Sequence, residues 1–566
     1  MNNLDDAPEL LKAVGAELTR DLVDVFQDVH GHSPDNLMLS KRIAAHVSAV
    51  CFGVSQGDAS AINCVKEWRA CLMKDRFHPS ACRGLVRAWF RLQPLADGQC
   101  SLWGADTRLV SALNTALLLF WKLRDGGLQK ANTEAYRDRL RRSGVPCLTD
   151  YEAELIRGAL RLGPVPHILD LIGKNGPGAV AVRTKGAQKW VFNRRPISVP
   201  LRFYRVSAEH ELASPDCTTY KYGVARALQV PKDVRGPRFI ACEPLASQHA
   251  QFAYERCLKL HLERCFRKHV FLASQREHNR MLWGSSATID LSDASDYISR
   301  RLIWRVLPDD WKRALFAVRS SFVQLDEHVV PLRAFAPMGS ALCFPVMTLV
   351  IAGALRAAGL RRFHVYGDDV IVPIRDYPVA ICWLEKLGVK INHSKSCSHG
   401  LFRESCGVEL FGDVDVTPIY VRRLRTAGSQ VDALALYRSA LRLSNKGFCN
   451  LGKFLLKRVK ENLAFSRASL VDLTCFGQRW NRDYQRLEVR WPVETAKRIT
   501  DQIDGYPGIM RWLCSGAAPG KGEPYTTSVD LRANYTHCKW VWLDKAQFIE
   551  ELALVRQGIW DLESRS

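Results

Sequence analysis

The sequence predicts an α+β fold, because helical and strand-forming stretches occupy different parts of the 566-residue chain. Residues 1–170 show mostly the apolar spacing of helices. Residues 280–425 instead contain short runs of Val, Ile, Tyr and Phe separated by Gly and Asp, which is typical of strands and tight turns. From about residue 430 the chain is again helical and basic, and it becomes rich in Trp towards its end.

The charge of the chain favours a polyanionic partner. Lys and Arg number 80 against 58 Asp and Glu, which gives a net charge of +22 and a pI near 9.4. Nucleic acid is the first candidate for such an excess, and the alternative is a basic protein that is merely soluble. Apolar residues make up 47% and charged residues 24% of the chain, a globular composition that argues against long disordered tracts.

Cysteine usage and hydropathy predict a reducing, cytoplasmic setting. The 18 cysteines include no C-x-x-C pair, so the usual zinc-knuckle signature is missing. The first residues, MNNLDDAPELLKAVG, lack the basic-then-apolar order of a signal peptide. The longest strongly apolar run, residues 341–355, is too short for a membrane span and contains Pro345. We therefore expect free thiols and no membrane association.

Outside the central segment the sequence predicts structure but little function. The clearest helix is DTRLVSALNTALLLFWKLRDGG, residues 106–127, which ends at a Gly pair. Between about residues 170 and 275, Gly, Pro and basic residues become more frequent. We expect strands and loops on a basic surface there.

A pair of adjacent carboxylates stands in the stretch RRFHVYGDDVIVP, residues 361–373. Val, Ile, Tyr and Phe on both sides favour strands, and Gly-Asp is a strong hairpin-turn signal. The turn is predicted to project Asp368 and Asp369 together at its tip. For an isolated Gly-Asp-Asp, a solvated hairpin turn is the alternative.

A second acidic cluster lies in SSATIDLSDASDYISRRLIWRVLP, residues 285–308. Its start predicts a strand in which Asp290 faces away from the apolar residues, although Asp is disfavoured in strands. From Ser295 onward an apolar stripe predicts a helix, with Ser295 or Asp296 as the alternative candidates for its N-cap. The Asp spacing, and Arg301 where the last ligand should be Glu, exclude an EF-hand.

Together these stretches predict a divalent-metal site. Asp290 on a strand and the Asp368–Asp369 pair on a hairpin supply three carboxylates, which can hold two Mg²⁺ ions. One ion activates an attacking hydroxyl, and the other stabilises a leaving pyrophosphate. Bound cations also offset the repulsion between adjacent carboxylates.

A specific resemblance rests on four motifs that occur in this order: IDLSDASD, PMGSALCF, VYGDD, and FRESCG followed by DVDVTPIYVRR. Over about residues 225–425 the chain resembles the replicase of the small single-stranded RNA bacteriophages, the leviviruses. The resemblance implies a right-hand polymerase fold with palm, fingers and thumb. We expect an N-terminal region with the fingers at 1–275, a catalytic palm at 276–425, and a thumb with a C-terminal helical region at 426–566.

The resemblance also implies roles for single residues. Asp290, Asp368 and Asp369 are the expected metal ligands, and Lys395 is the expected general acid for pyrophosphate. The residues expected to bind the nucleotide are Lys232, Arg235, Arg238, Ser295, Asp296, Gly339 and Ser340. The segment 417–423 resembles the strand pair that contacts the primer end, and a solvated basic face is the alternative for it.

Each expected nucleotide contact has a physical reason. The basic residues of QVPKDVRGPRFIACEP, residues 229–244, match the family's finger segment, and guanidinium groups bind phosphate through paired hydrogen bonds. Gly339 would let the backbone approach nucleic acid closely. Asp296 and Ser340 can form hydrogen bonds with a ribose 2′-OH. Ser340 stands where the best-known phage members have Asn, and Cys343 where they have Thr.

The implied activity is that of an RNA-directed RNA polymerase that replicates a positive-strand phage genome. It would use ribonucleoside triphosphates and Mg²⁺, with Mn²⁺ as a substitute, and start de novo at a template 3′ end. The implied partners are the RNA template and product, host elongation factors Tu and Ts, and a ribosomal S-protein, in the cytoplasm of the bacterial host.

Two rival functions make different predictions. A reverse transcriptase is the rival within the class, because its usual turn differs from Tyr-Gly-Asp-Asp by one residue. A non-catalytic basic RNA-binding or packaging protein is the rival outside the class. The latter would bind RNA without a divalent metal, and it leaves Asp290 unexplained.

Overall fold

The structure is a computed structural model, and it confirms the α+β class, because an N-terminal run of helices is followed by a part in which mostly antiparallel strands alternate with helices. The residues that it describes are 7–74, 76–79, 81–124, 132–141, 143–167, 170–171, 173, 178–181, 198–200, 218–220, 223–272, 274–282, 286–424, 430–462, 478–481, 486–496 and 536–544. Most of the predicted basic surface before residue 200, and the end of the Trp-rich tail, lie outside these residues.

The N-terminal part of the chain is helical, as predicted. Its first helices are α1 (Ala7–His30), α2 (Pro34–Gln56), α3 (Ala59–Met73), α4 (Ala81–Phe90) and α5 (Thr107–Leu118). The side chains of Ser33, Asp58 and Asp106 cap α2, α3 and α5 by accepting hydrogen bonds from backbone N–H groups of the first turn. Such caps satisfy donors that have no partner within the helix.

Helix α5 is shorter than the predicted helix at 106–127, because backbone groups after Leu118 form hydrogen bonds with a distant segment of the chain. The backbone carbonyl of Leu119 accepts a hydrogen bond from the N–H of Val421, with an N–O distance of 2.8 Å. The N–H of Arg124 then donates to the carbonyl of Arg422 at 2.7 Å. Pairing with a distant segment therefore ends this helix before the Gly pair.

By length and composition, α2 is the one helix among the described residues that could cross a membrane. Its apolar face, which includes Ile43, Val47 and Val54, is buried in the core of the N-terminal helices. A core helix passes the same test, so this helix is weak evidence for membrane association.

The N-terminal helices share one hydrophobic core with the C-terminal helices α15 (Gln430–Asn445) and α16 (Cys449–Asn462). Buried Asp21 on α1 accepts hydrogen bonds from the backbone N–H groups of Asn450 and Leu451, at 2.8 and 2.9 Å. These groups lie in the first turn of α16, so Asp21 caps that helix from another part of the chain. The N-terminal helices therefore pack against the helices at residues 430–462.

A four-stranded sheet combines two strands that precede the acidic segment of the chain with two strands inside it. Its strands are β3 (Gly223–Asp233), β4 (Gly236–Cys242), β7 (Ser320–Leu325) and β8 (His328–Pro331), in the spatial order β4-β3-β7-β8. Strands β3 and β4 form an antiparallel hairpin whose tip carries the basic residues at 232–238. Helix α6 (Thr133–Arg141) supports the sheet, since the ring of Tyr136 stacks on Phe239 at 4.3 Å.

The centre of the fold is a three-stranded antiparallel sheet. It has the order β5-β10-β9, from β5 (Ser286–Ile289), β9 (His364–Tyr366) and β10 (Asp369–Pro373). All four residues of β5 are buried, so the predicted alternation with one polar face is absent from this strand. The nearly fully buried helix α13 (Cys343–Ala357) packs beside β9 and against α7 (Asp150–Leu160) and α8 (Leu245–Cys265).

The remaining elements are short and complete the fold around this sheet. The helices are α9 (Gln275–Asn279), α10 (Ala294–Tyr297), α11 (Arg300–Val306), α12 (Asp309–Val318), a 3₁₀ turn (Ile374–Asp376) and α14 (Tyr377–Lys386). The strands are β1 (Ser198–Pro200), β2 (Thr218–Tyr220), β6 (Leu291–Ser292), β11 (Lys390–Ile391), β12 (Phe402–Ser405), β13 (Val408–Phe411), β14 (Val414–Asp415), β15 (Gln478–Asn481), β16 (Arg486–Ala496) and β17 (Thr536–Asp544).

Two predictions about local structure were wrong. The helix expected from Ser295 is broken at Ile298, whose carbonyl accepts a hydrogen bond from Phe335 N–H at 2.7 Å; α11 then begins with Ser299 as its cap. Neither Ser295 nor Asp296 caps it. The segment 417–423 forms no strand either, and the strand pair of this region is instead β12 with β13.

Candidate active site

The turn between β9 and β10 presents the adjacent carboxylates unequally. Tyr366 pairs with Asp369, so Gly367 and Asp368 form a two-residue hairpin loop. Gly367 has φ +65°, a conformation that favours glycine, and the Phe344 ring lies where a side chain at this position would stand. Asp368 is exposed at the tip, as predicted, whereas Asp369 is the first residue of β10 and is more buried.

The register of the central sheet brings Asp290 beside Asp369. Ile289 on β5 pairs with Val370 on β10 in antiparallel fashion. One step further along each strand, towards the same end of the sheet, stand Asp290 and Asp369. Adjacent antiparallel strands lie about 5 Å apart. Carboxylates from two distant motifs therefore leave the sheet at one place.

Asp290 is held by the segment that follows β11. Its backbone N–H donates to Ser396 Oγ at 3.1 Å, and its carbonyl accepts from Asn392 N–H at 2.9 Å. Asn392 Nδ2 also donates to Asp290 Oδ2 at 2.7 Å. Lys395 Nζ lies 3.9 Å from the same oxygen, which places the predicted general acid next to the predicted metal ligand.

The electrostatics of these carboxylates show uncompensated negative charge. Burial and the charge of Asp368 raise the pKa of Asp369 to about 7, with smaller contributions from Glu404 and Asp290. Burial also raises the pKa of Asp290, although Lys395 and Asn392 act in the opposite direction. Groups of like charge in one partly desolvated site disfavour ionisation in this way. A bound cation would relieve this repulsion.

The carboxylates of Asp290, Asp368 and Asp369 are suitable ligands for Mg²⁺, because hard divalent cations prefer carboxylate oxygens. Within the described ranges, however, no three His, Cys, Asp or Glu side chains lie close enough together to hold a metal ion as they are oriented here. One oxygen of Asp290 faces Asn392 and Lys395, and one oxygen of Asp369 accepts a hydrogen bond from Cys406 Sγ at 3.2 Å. The bond from Cys406 uses Oδ2 of Asp369 and leaves Oδ1 available, so a change in the relative orientation of the carboxylates, rather than loss of this bond, is needed before all three can share a cation.

A second acidic residue lies next to this site. Burial raises the pKa of Asp296 to about 6, against the opposing effect of Arg139. Burial, with Asp296 and Asp368, also raises the pKa of Cys343 to about 12, while a hydrogen bond with Ser295 lowers it. Asp296 and Asp368 therefore both act on the Cys343 thiol through their charge, which links the predicted nucleotide-binding segment to the hairpin.

The structure gives Gly339 and Ser340 roles within the protein. Gly339 has φ +109°, and an added Cβ would lie 2.4 Å from the carbonyl oxygen of Ala241, so the close backbone approach is to β4. Ser340 is buried, and its hydroxyl donates to Gln251 Oε1 at 2.8 Å while accepting from Leu342 N–H at 3.3 Å. A direct ribose contact by Ser340 would have to displace these bonds.

The basic hairpin of β3 and β4 reaches towards the same region. Loss of solvation around its ammonium, with the charges of Arg238, Arg235 and Lys395, lowers the pKa of Lys232 to about 8. Arg235 forms an ion pair with buried Asp233, with a shortest N–O distance of 2.6 Å. Arg238 is exposed and contacts Met338 Sδ at 3.6 Å. Lys232 and Lys395 are thus electrostatic neighbours although they are distant in sequence.

Sequence reasoning missed three residues that contact or influence this site. They are Asn392, Glu404 and Cys406. Asn392 reaches Asp290 because β11 pairs with β6, and two-residue strands give almost no periodic signal. Cys406 lies in FRESCG, one of the motifs on which the resemblance rests, but the motif alone predicts no contact for its thiol. Its position next to Asp369 depends on tertiary packing.

Comparisons with known proteins relate the central part of this chain to RNA replicases. Residues 198–436 match the family model described as RNA replicase, beta-chain. The beta chain of the RNA-directed RNA polymerase of Enterobacteria phage GA is 36% identical over 145 residues, covering 25% of this chain and 27% of its own length. The beta subunit of Escherichia virus Qbeta is 32% identical over 228 residues (38% of each chain), and that of Enterobacteria phage SP is 31% identical over 285 residues (45% and 49%).

These matches span less than half of the length of the curated relatives, from 27% for phage GA to 49% for phage SP. Among solved structures, the RNA-dependent RNA polymerase of a human picorbirnavirus matches with a TM-score of 0.33 and 13% identity, over 58% of this chain and 73% of that chain.

The segment that matches the family model contains β5, the hairpin of Asp368 and Asp369, and the β12–β13 hairpin. The resemblance to levivirus replicases is thereby confirmed at 31–36% identity. Residues 198–436 of this chain are therefore similar to the RNA replicase beta-chain family.

Proposed function

We propose that this chain is an RNA-directed RNA polymerase that copies a positive-strand phage genome by two-metal nucleotidyl transfer. The observation that carries the proposal is the register that sets Asp290 beside Asp369 at the end of the central sheet. The match of residues 198–436 to the replicase family model and the net charge of +22 support it, since a replicase must hold long polyanionic RNA.

Asp290, Asp368 and Asp369 would hold the Mg²⁺ ions, with Mn²⁺ as a substitute. When bound, the ions supply activation of the 3′-hydroxyl and stabilisation of the leaving pyrophosphate. The chain's own residues do the rest. Lys395 holds a proton on Nζ near Asp290, where a leaving oxygen that gains charge can accept it.

The incoming nucleotide is assigned to the space between the basic hairpin and the acidic turn. Lys232 and Arg238 supply positive charge for the triphosphate. Asp296 lies near the exposed Asp368 and is the candidate acceptor for the ribose 2′-OH. Ser295 lies beside it, whereas Gly339 and Ser340 contribute by shaping the adjoining loop.

The division into palm at 276–425, fingers with the N-terminal region at 1–275 and thumb at 426–566 is part of the proposal. The shared core of the first and last helices supports a closed arrangement of these parts. Host elongation factors Tu and Ts, a ribosomal S-protein and a cytoplasmic location in the bacterial host are likewise proposed on the family resemblance.

The test is incorporation of labelled ribonucleotides on a phage RNA template by the full-length chain with its co-purifying host proteins. We expect synthesis with Mg²⁺ or Mn²⁺ and none with EDTA. Incorporation of deoxyribonucleotides in preference to ribonucleotides would favour the reverse transcriptase. Metal-independent RNA binding with no synthesis under any condition would favour the packaging protein and overturn the proposal.

A further inference from the structure

The β12–β13 hairpin presents a cysteine in an unusual backbone conformation. Ser405 pairs with Val408, so Cys406 and Gly407 form a two-residue loop. Both have positive φ, +48° for Cys406 and +78° for Gly407. Two-residue loops with positive φ at both positions favour Asn-Gly or Asp-Gly. A cysteine in this left-handed backbone conformation costs about 1 kcal/mol or more. Packing alone therefore does not explain why a cysteine occupies this position.

The thiol of Cys406 contacts the carboxylate of Asp369. Its sulfur lies 3.2 Å from Oδ2, within hydrogen-bond distance for an S–H donor. The thiol thus reaches from this loop to Asp369, the first residue of β10. The bond uses Oδ2 and leaves Oδ1 for another partner.

The residue before Cys406 is also fixed. Buried Ser405 places its hydroxyl 2.9 Å from Nε2 of His278, which is fully buried. The His278 ring in turn packs near the ring of Tyr366, with 5.8 Å between centroids. Tyr366 is the strand partner of Asp369. The two hairpin tips are therefore joined by the thiol contact and by this chain of side chains.

The body of the hairpin is bonded to the N-terminal helices. Arg69 on α3 donates to Glu404 at 3.0 Å and also forms an ion pair with Glu409. Asn114 on α5 donates to Glu409 Oε2 at 2.8 Å and to the carbonyl of Val416 at 2.9 Å. Glu409 is buried, and a buried, paired carboxylate fixes geometry because breaking the pair is strongly unfavourable.

We propose that Cys406 is a positioning residue for Asp369, held at the correct distance by the N-terminal helices through Arg69 and Asn114. The thiol donates a hydrogen bond that orients the carboxylate for cation binding, and no bond to sulfur is formed or broken. This inference rests on the proposed function, because Asp369 is there a metal ligand. It also gives the N-terminal helices a part in catalysis.

The test compares three substitutions in the full-length chain. Cys406→Ser keeps a donor, Cys406→Ala removes it, and Cys406→Gly removes it while suiting φ +48°. The two readouts are the Mg²⁺ concentration for half-maximal incorporation and the affinity for Mn²⁺ without RNA, measured by electron paramagnetic resonance. In both donor-free variants we expect the half-maximal Mg²⁺ concentration to rise, and the Mn²⁺ affinity to fall, by about three- to tenfold. Cys406→Ser should stay within about twofold of the parent chain in both readouts, since a hydroxyl can also donate this hydrogen bond.

The outcomes separate this inference from the proposed function. If the parent chain synthesises RNA and both donor-free variants match it in the two readouts, the positioning role is wrong and the polymerase assignment stands. Equal weakening in Cys406→Ser and Cys406→Ala also overturns it, because the hydrogen bond would then not matter. If the parent makes no RNA, the proposed function fails, and the Mn²⁺ affinities still decide whether the thiol orients Asp369.

Discussion

Asp290 and Asp369 leave two neighbouring antiparallel strands at the same end, one step beyond the pair Ile289 and Val370. Neither carboxylate has a full countercharge. Lys395 is 3.9 Å from Asp290, and Asp369 accepts its hydrogen bond, within the described part of the chain, from the uncharged thiol of Cys406. The negative charges that favour cation binding therefore destabilise the protein when no cation is bound. Functional sites commonly keep such unfavourable arrangements.

The first prediction follows from this conflict. Asp290→Asn and Asp369→Asn should each lower RNA synthesis by about a hundredfold or more, because an amide is a poor ligand for Mg²⁺. In Mg²⁺-free buffer at pH 8 the same variants should melt at a higher temperature than the parent, because like-charge repulsion is relieved. Single-nucleotide incorporation and thermal melting measure the two effects.

The matched control is Asp413→Asn, which removes an exposed carboxylate in the turn before β14. It should change neither synthesis nor melting temperature. Near-parental synthesis by Asp290→Asn would refute the proposed metal site, whatever the melting temperature shows.

A second prediction concerns Asp296, whose folded-state pKa of about 6 lies above the unfolded value of 3.8. The folded chain then binds the proton more tightly, so its stability falls as pH rises from about 4 to about 6 and stays low above that. Asp296→Asn should remove this loss and stabilise the chain at pH 7.5 by up to about 3 kcal/mol, with little effect at pH 4. Urea unfolding at several pH values measures it.

The same variant should narrow the preference for ribonucleotides over deoxyribonucleotides, because an acceptor for the 2′-OH is altered. Asp293→Asn is the control, since Asp293 is an exposed neighbour and Asn tolerates its positive φ of +47°. If Asp296→Asn is more stable but its preference for ribonucleotides over deoxyribonucleotides is unchanged, Asp296 has no role in ribose selection and is only an unfavourable buried carboxylate.

The part of the site that could be predicted from sequence is the part carried by local signals. Gly367 with a strand on each side predicts the hairpin, and Asp290 stands out because a carboxylate is unfavourable within a strand-forming run. The register between β5 and β10 has no local signal, so the closeness of Asp290 and Asp369 was predicted from their common chemistry and from resemblance.

The failures share one physical cause, which is that tertiary pairing overrides local preference. Helix α5 ends early because Leu119 and Arg124 bond to the segment at 421–422. The helix expected from Ser295 breaks because Ile298 bonds to Phe335. The sequence predicts a contact of Gly339 with nucleic acid, whereas in the structure the backbone of Ala241 leaves no room for a side chain at this position. A single sequence contains the residue types but not their distant partners.

The third prediction separates two arginines of the basic hairpin. Arg235→Ala leaves buried Asp233 without its ion-pair partner, so we expect a loss of about 1–3 kcal/mol in stability. Arg238→Ala removes an exposed guanidinium whose contact is with Met338 Sδ rather than with a carboxylate, and it should raise the KM for ribonucleoside triphosphates several-fold with an unchanged melting temperature. Melting curves and initial-rate kinetics on both variants distinguish the two roles.

The reverse pattern would contradict this assignment. If Arg235→Ala raised KM strongly while keeping the parental melting temperature, its guanidinium would be the phosphate contact and the pair with Asp233 would be dispensable. Arg235→Lys and Arg238→Lys serve as matched controls that keep the charge but lose the paired hydrogen bonds of a guanidinium.

The last prediction decides between two roles for Lys395, whose side chain is 46% exposed and whose Nζ lies 3.9 Å from Asp290 Oδ2. As a general acid, the lysine gives a proton to the departing pyrophosphate, an effect typically worth about 10²–10⁴-fold. As an electrostatic partner, it only offsets the charge of Asp290. Lys395→Leu should slow single-nucleotide incorporation in either case, by about ten- to a hundredfold for the acid role.

Charge-conserving variants separate the two roles of Lys395. Arginine keeps the positive charge but does not release its proton, whereas histidine can donate one near neutral pH. If Lys395 is the acid, Lys395→Arg should remain as slow as Lys395→Leu. Lys395→His should recover part of the rate, with a pH optimum displaced downward towards the imidazole pKa of about 6.5. Pre-steady-state incorporation measured against pH is the test. Full rescue by arginine would show that the residue acts through its charge on Asp290 alone, and the proton would then have to come from another donor.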